Sequence, residues 1–326
     1  MAANPKSPVG PSPVLERYHL YHAEAHILSG ELEHPIKQDL EKYGHVSLEH
    51  TRRESHNTRT VGPTDIEGLI SFKSGHTRVV GTQVKQKIDI FGNDHAGWVT
   101  LSTATIEGYN VVDTITADRV VAQVSTEHPM TQGHVPRVSF LGTRFENLQV
   151  GGYPVQVELD LGFCGAKPEG DRSYLEDIDF LDRVERQFES IRDTKGLPDG
   201  LKKKYRAEVE YIDDLRKRAK GRAKGERNGY PKLQCSLVKS IGEIPIPGVK
   251  TFGNVIFIPN FGTVALAGVE IGIRASQNEF RHGDGPALPP SDSNYFTLNM
   301  FEMNLGCPVG GKTKGPGVSG NGQTSP

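Results

Sequence analysis

Three ligand-type side chains occupy every second position of the short run YHAEAH: His22, Glu24 and His26. Imidazole nitrogens and a carboxylate oxygen are donors that a divalent metal takes. In a strand these alternate residues share a face but stand about 6.5–7 Å apart along the backbone, so two converge easily and a third ligand must come from another strand. The same pattern suits the solvated face of an edge or sandwich strand. On the opposite face Ala23 and Ala25 predict close approach of a second layer.

A second cluster is basic: Arg216, Lys217, Arg218, Lys220, Arg222, Lys224 and Arg227. Such a run attracts an anionic partner, whether phosphate, nucleic acid or an acidic surface. It also suits the C-terminal end of a helix, where positive charge complements the helix dipole. No aromatic residue is interleaved with it to stack on bases, so nucleic acid is not the expected partner. The plainer reading is a solvated helix end facing an acidic neighbour. Three cysteines, Cys164, Cys235 and Cys307, make an odd count. Cys164 and Cys235 flank a charged central segment, as a disulfide stapling its base or as two small buried hydrophobes. No Cys spacing suggests zinc. The chain carries no Gly-x-Ser-x-Gly elbow, HExxH helix, phosphate-binding loop or dinucleotide-binding glycine pattern.

The elements that must position these groups are mostly strands. From Val155, apolar Val155, Val157, Leu159 and Leu161 alternate with polar Gln156, Glu158 and Asp160, the period of a strand with one buried face. Gly151-Gly152 before it is two-residue hairpin chemistry. Arg119 to Ser125 and Arg137 to Leu141 complete an antiparallel meander. Further strands are expected around His45 to His50, Ile66 to Phe72, Thr77 to Ile90, Trp98 to Leu101 and Ile106 to Ile115. They resume at Leu233 to Ile246, Val255 to Pro259, Phe261 to Arg274 and Tyr295 to Leu305. In the last of these Phe296, Leu298 and Met300 lie on one face and Phe301, Met303 and Leu305 on the other. That requires a bulge near Met300 or burial on both sides.

Residues 171–229 differ in kind. Ser173 with Glu176 is a capping box, and Ile178, Leu181, Val184, Phe188 and Ile191 recur at helical spacing, predicting a helix over 173–193. Lys195-Gly196-Leu197-Pro198 stops it. Leu201, Tyr205, Val209, Ile212, Leu215 and Ala219 predict a second helix over 199–220. The pair should form an antiparallel hairpin, inserted into the β domain and separable from it.

Composition excludes little else. Mean hydropathy is -0.46 and 35% of residues are apolar, low for a compact enzyme, though the tails and the insert account for part of the deficit. A net charge of -2 argues for no nucleic-acid or membrane partner by itself. No apolar run approaches the ~18 residues of a membrane span. The first stretch, MAANPKSPVGPSPV, has no hydrophobic core of a signal peptide. A cytoplasmic location is therefore expected, or an extracellular or surface one if the N-terminus was trimmed.

The pairing of NVIFIPNFGTVAL (Asn254 to Leu266) with NYFTLNMFEMNL (Asn294 to Leu305), together with the central VSFLGTRFENLQVGGYPVQVEL (Val138 to Leu159), resembles a group of bacterial β-rich proteins of unknown function. Some of these are secreted or carried at the cell surface. The resemblance spans residues 100–163 and 233–305 and implies a β-rich fold, with no site residues to carry over. The helical insert and the missing signal segment depart from the secreted members.

These readings combine into a mainly β fold, an antiparallel β-sandwich or distorted barrel with an inserted α-helical hairpin. Its parts are a disordered arm at 1–14, β segments at 15–170 and 230–307, the insert at 171–229, and a disordered Gly-rich tail at 308–326. The expected function is that of a non-enzymatic structural or binding protein acting by self-assembly or surface recognition, with no cofactor required. Phe301, Met303 and Leu305, on the outer face of a one-sided sandwich, are the expected contact of a homo-oligomer. The alternatives are a cupin-like metal enzyme using His22, Glu24 and His26, and a protein that docks an anionic partner through the basic run.

Overall fold

A computed structural model describes residues 18–35, 37–85, 96–130, 133, 135–170, 172–220, 231–274, 293–306 and 310–324. The N-terminal strands are β1 (His19–His26), β2 (Leu28–Leu32), β3 (Gln38–Tyr43), β4 (Val46–Thr51), β5 (Ser55–Val61), β6 (Thr64–Ile66), β7 (Ile70–Phe72) and β8 (Ser74–Val84). The meander follows as β9 (Gly97–Val111), β10 (Ile115–Pro129), β11 (Arg137–Ser139), β12 (Arg144–Glu146), β13 (Gln149–Val150), β14 (Tyr153–Pro154) and β15 (Val157–Leu159). After α1 (Ile178–Arg192) and α2 (Asp199–Ala219) come β16 (Lys232–Ser236), β17 (Val238–Ile241), β18 (Lys250–Phe252), β19 (Val255–Ile258), β20 (Gly262–Arg274), β21 (Ser293–Leu305) and β22 (Gly311–Thr324).

Among the described residues the strands build two ten-stranded antiparallel sheets and one two-stranded ladder. The first sheet runs β18-β19-β20-β21-β22-β1-β4, with β16 also on β20, and β2 joining β22 to β3. The second runs β14-β13-β10-β9-β7-β6, with β11 and β12 on β10, and β8 joining β9 to β5. β15 pairs with β17. The fold is therefore the expected mainly β one, antiparallel with a helical insert. Gly151 and Gly152 have φ of 54° and 80° and close the hairpin of β13 and β14, as a type I′ turn requires.

One expectation is overturned at the centre of the first sheet. Most of the supposed tail is β22, paired with β21 on one side and with β1 and β2 on the other. Its glycines, read from composition as a lack of packing capacity, are required by close approach. A Cβ on Gly320 would lie 3.2 Å from Val124 of the facing sheet, and one on Gly322 would collide with His19.

β22 also carries Pro316, which cannot donate to a ladder. Pairing holds on both sides of it, at His26↔Gly317 and Ser29↔Lys314, and at Asn299↔Gly317 and Phe301↔Gly315. β20 and β21 pair at Leu266↔Phe301 and at Gly268↔Asn299. The row between, made of Ile27, Pro316, Met300 and Ala267, is skipped in all of these ladders. Across this row the alternation of buried residues shifts by one: Leu298 and Met300 are buried before it, Phe301 and Met303 after it. Ala267 takes the shift with a φ of 46°.

The same shift corrects the assembly contact. Phe301 is 1% exposed, Met303 2% and Leu305 8%. They face the second sheet rather than an outer surface, and Phe301 packs on Tyr109 and Phe145 with ring centroids 5.3 Å from each.

The hairpin forms as expected, with the capping box of Ser173 and Glu176 opening a short 3-10 turn and Asp177 capping α1. Phe180, Leu181, Val184, Phe188 and Ile191 are buried, while Ile178 is exposed. The insert shares the core of the β domain, however. Tyr174 is fully buried against Phe296 of β21, and both belong to one continuous core with α1. Asn294 accepts hydrogen bonds from the Ser173 hydroxyl at 2.8 Å and the Tyr174 N–H at 3.1 Å.

Gly315 has φ of 147°, and a Cβ there would collide with the Ile27 carbonyl oxygen. Gly315→Ala is expected to lower the unfolding free energy by about 3 kcal/mol. Ala267→Gly relieves a left-handed non-glycine residue and should cost nothing or stabilise by about 0.5 kcal/mol. Urea unfolding midpoints check both; an unshifted midpoint for Gly315→Ala would mean that β22 does not lie between β1 and β21.

Candidate functional site

The skipped row sets the outer face of the first sheet. Beside it, one register line crosses five strands: Ser236 (β16), Gly268 (β20), Asn299 (β21), Gly317 (β22) and His26 (β1). The next line reads Gln234, Glu270, Thr297, Ser319 and Glu24. These rows are polar where they are not glycine, and the hairpin lies over part of them. A hairpin docked only for stability would seat its apolar stripe on an apolar floor. Here part of the floor is polar, and a cavity of about 190 Å³ remains between sheet and helices.

The roof is tied down at named points. The Gln187 side-chain amide donates to the Ser236 carbonyl and accepts from the Ser236 N–H, each at 2.9 Å. Arg183 donates to the carbonyls of Phe163 and Cys164, both at 2.9 Å. Phe188 and Tyr205 stand together at the cavity wall, with centroids 5.7 Å apart and planes tilted by 49°. Gly268 lines the floor, and a Cβ added there meets no atom within 4 Å.

The charged groups of the cavity are set against one another. Burial works against the charge of Glu270, but Lys232 at 3.2 Å and the Tyr295 hydroxyl at 3.0 Å outweigh it and hold its carboxyl below the ordinary range. Glu302 pairs with Lys314 at 3.0 Å and accepts from the Asn299 amide at 3.2 Å. Glu208 on α2 is pushed upward by burial, with Lys204 offsetting part of the effect. The cavity thus offers an ionised acceptor in Glu270 and a carboxyl leaning toward its proton-donating form in Glu208.

His22, Glu24 and His26 do share the outer face of β1, but they do not assemble a metal centre. Lys42 sits 2.6 Å from Glu24, His45 3.7 Å and His22 4.0 Å, and His26 meets the Ser29 hydroxyl at 3.2 Å. Among the described residues, no group of three or more His, Cys, Asp or Glu is placed to hold a metal ion. The strand spacing keeps the three apart, and the Lys42 ammonium already neutralises the carboxylate that would recruit a cation. Ala23 and Ala25 are fully buried against the second layer.

The basic run is largely spoken for where it is described. Arg216 pairs with Asp182 at 2.5 Å, with Glu185 and with Asp213 at 3.3 Å, and Lys217 pairs with Asp214 at 3.4 Å. The acidic neighbour is α1 itself. Arg218 and Lys220 continue the run to the end of α2, and Arg222, Lys224 and Arg227 lie outside the described residues. Cys164 and Cys235 are free and buried, which corrects the disulfide. Cys235 pairs with Val269 on β20, whereas β15 docks further on, at β17. Burial pushes the Cys164 thiol up to about 12. Cys307 lies outside the described residues.

A family described as a domain of unknown function (DUF8256) matches residues 19–272. The chain belongs to this family. No curated protein and no solved structure compared with the chain matches it. The DUF8256 match takes in β1, the hairpin, β16 and most of β20, and therefore the roof and three of the five floor strands. Thr297, Asn299, Glu302 and Lys314 follow it on β21 and β22.

Sequence reasoning singled out Glu24 and His26 but missed the rest of the floor, because those residues come from strands far apart in the chain and form no motif. It also missed a buried polar group between the sheets. His19 lies 4.6 Å from His128 and 5.4 Å from Trp98, nearly parallel to the indole, and meets the Thr324 hydroxyl at 3.0 Å. Burial and the neighbouring His128 hold His19 well below the ordinary histidine value. Burial, with Lys42 next in effect, holds His26 down to about 4.

Both depressed histidines are neutral when folded, and in the unfolded chain they take up a proton near pH 6.5. Their contribution is complete above pH 6.5 and is lost as pH falls below it, at about 1.4 kcal/mol per pH unit for each histidine. Unfolding free energy should therefore drop between pH 6.5 and 5, before carboxylates titrate. His26→Gln should remove one histidine's share of the slope. A flat profile over that window would contradict the burial of both rings.

Proposed function

We propose that this chain is a non-enzymatic recognition protein whose ligand site is the cavity between the helical hairpin and the outer face of the first sheet. The observation that carries the reading is the polar floor. Glu270, Thr297 and Asn299 stand half-buried beneath the helical roof, beside Phe188 and Tyr205, and Gln234 is exposed at the rim. Half-buried polar groups around a cavity suit a ligand that can exchange hydrogen bonds with them. Pockets for drug-sized ligands run to roughly 300–1,000 Å³, so the ligand portion enclosed by 190 Å³ is small.

Self-assembly through strand edges has less in its favour. β18 and β6 have three residues each, and β14 has two and ends in Pro154, while β4 at the other end of the first sheet has six. Short edges and edge prolines discourage pairing with another chain. The burial of Phe301 and Met303 removes the contact on which self-association rested.

Gly268→Phe should fill the cavity while leaving the fold intact, because the added side chain enters open space. A thermal-shift screen against a broad small-molecule library is the direct test. A saturating ligand at about a hundred times its Kd stabilises by about 2.7 kcal/mol, a rise of several degrees. The wild type should show such a hit and Gly268→Phe should not. A library whose every hit raises the two proteins equally would contradict the reading.

A further inference from the structure

We propose that the ligand of this cavity is a neutral saccharide, with one sugar ring under the hairpin and the adjoining units lying along the register rows toward β1. The inference rests on reading the cavity as a recognition site, and it adds the ligand's chemistry.

Charge decides the class first. The lining holds Glu208, Glu270 and Glu302 against Lys204 and Lys314, and Lys232 is bound to Glu270 from outside. Three carboxylates thus stand against three ammonium groups. A phosphate or carboxylate ligand would find no surplus of positive charge, and a polyamine no surplus of negative charge. A charged ligand would also have to break the Glu302–Lys314 or Glu270–Lys232 pair, leaving a half-buried charge without its partner.

Hydrogen-bonding groups decide it further. Donors and acceptors alternate over short distances, with the amides of Gln234, Asn254 and Asn299, the Thr297 hydroxyl and the carboxylates. A sugar hydroxyl donates one bond and accepts others, as such a mixed surface requires. The adjacent Phe188 and Tyr205 supply an apolar wall for the C–H face of a ring. A flat nucleobase would want parallel aromatic faces, and a 49° tilt does not provide them.

The floor shape fits a chain longer than one ring. Gly268 leaves the sheet surface low, the His26 ring and the Asn299 amide close over Gly317, and Thr297, Ser319 and Glu24 continue the polar row beside them as the open track. Five strands at about 4.8 Å spacing span roughly 19 Å, the room of a short oligosaccharide.

Isothermal titration of the full chain tests the proposal with three sets of probes. The first is neutral sugars: glucose, galactose, mannose and their linear trisaccharides. The second is inorganic phosphate and glucuronate, and the third is spermidine. At least one neutral sugar should bind saturably, more tightly as the trisaccharide. The affinity should fall about tenfold or more in Gly268→Phe and in Asn299→Ala, with melting temperatures kept. Asn299→Ala carries the test alone if Gly268→Phe fails to fold. Binding of phosphate or spermidine but no sugar, lost in Gly268→Phe, would overturn the saccharide class and leave the recognition cavity standing. Sugar binding that survives both substitutions would overturn both, and no sugar binding at millimolar concentration overturns the saccharide class.

Discussion

A proline in the middle of a central strand is the constraint around which this fold is arranged. Pro316 has no N–H to give, and one unmatched carbonyl deep in a sheet would be expensive. The sheet answers with a whole row: Ile27, Met300 and Ala267 leave their ladders at the same level. Strands on either side stay in one register, so the fault is a line across the sheet rather than a break in one strand. Its consequence is a change of side. β21 can be apolar at both parities because its two halves present opposite parities to the same interior.

That line also places the candidate site. Gly317, Asn299, Gly268 and His26 each follow or precede a residue of the skipped row, and together they make the first line of the outer floor. Gly268 keeps the sheet surface low there, the His26 ring and the Asn299 amide fold over Gly317, and the next line is polar. The hairpin reaches over this floor because it is fixed from three directions: by Asn294 at its start, by Gln187 to β16 midway along α1, and by Arg183 to the turn after β15. A rigid roof tied to a polar floor encloses space instead of collapsing onto it.

Local signals were legible in the sequence wherever one segment carried them entire. The Gly151-Gly152 turn, the Ser173 capping box and the stripe from Leu181 to Ile191 needed no partner to be read. The class of fold followed from the alternation at Val155 to Leu161 and from the strand-like segments on either side of the helical stretch. What escaped depended on pairing between distant segments. β22 looks like a linker because glycine is normally a sign of missing contacts, and only the facing residues Val124 and His19 show why its side chains had to be absent. The bulge expected near Met300 is the slip at the skipped row, and Phe301 reads as an outer residue only where a strict period of two is carried through it. The floor of the cavity was invisible for the same reason: Gln234, Glu270, Thr297 and Ser319 become neighbours only through register. The basic run shows the converse, a loud sequence signal that α1 quiets through Asp182 and Glu185.

Both the interior and the outer floor are built on residues 311–324 as a central strand. Native-state hydrogen exchange resolved to peptides of this segment measures that directly. Amides of 311–324 paired to β1, β2 and β21 should exchange as slowly as those of β20, opening only with global unfolding. Exchange of the segment within seconds, while β20 stays protected, would contradict the arrangement.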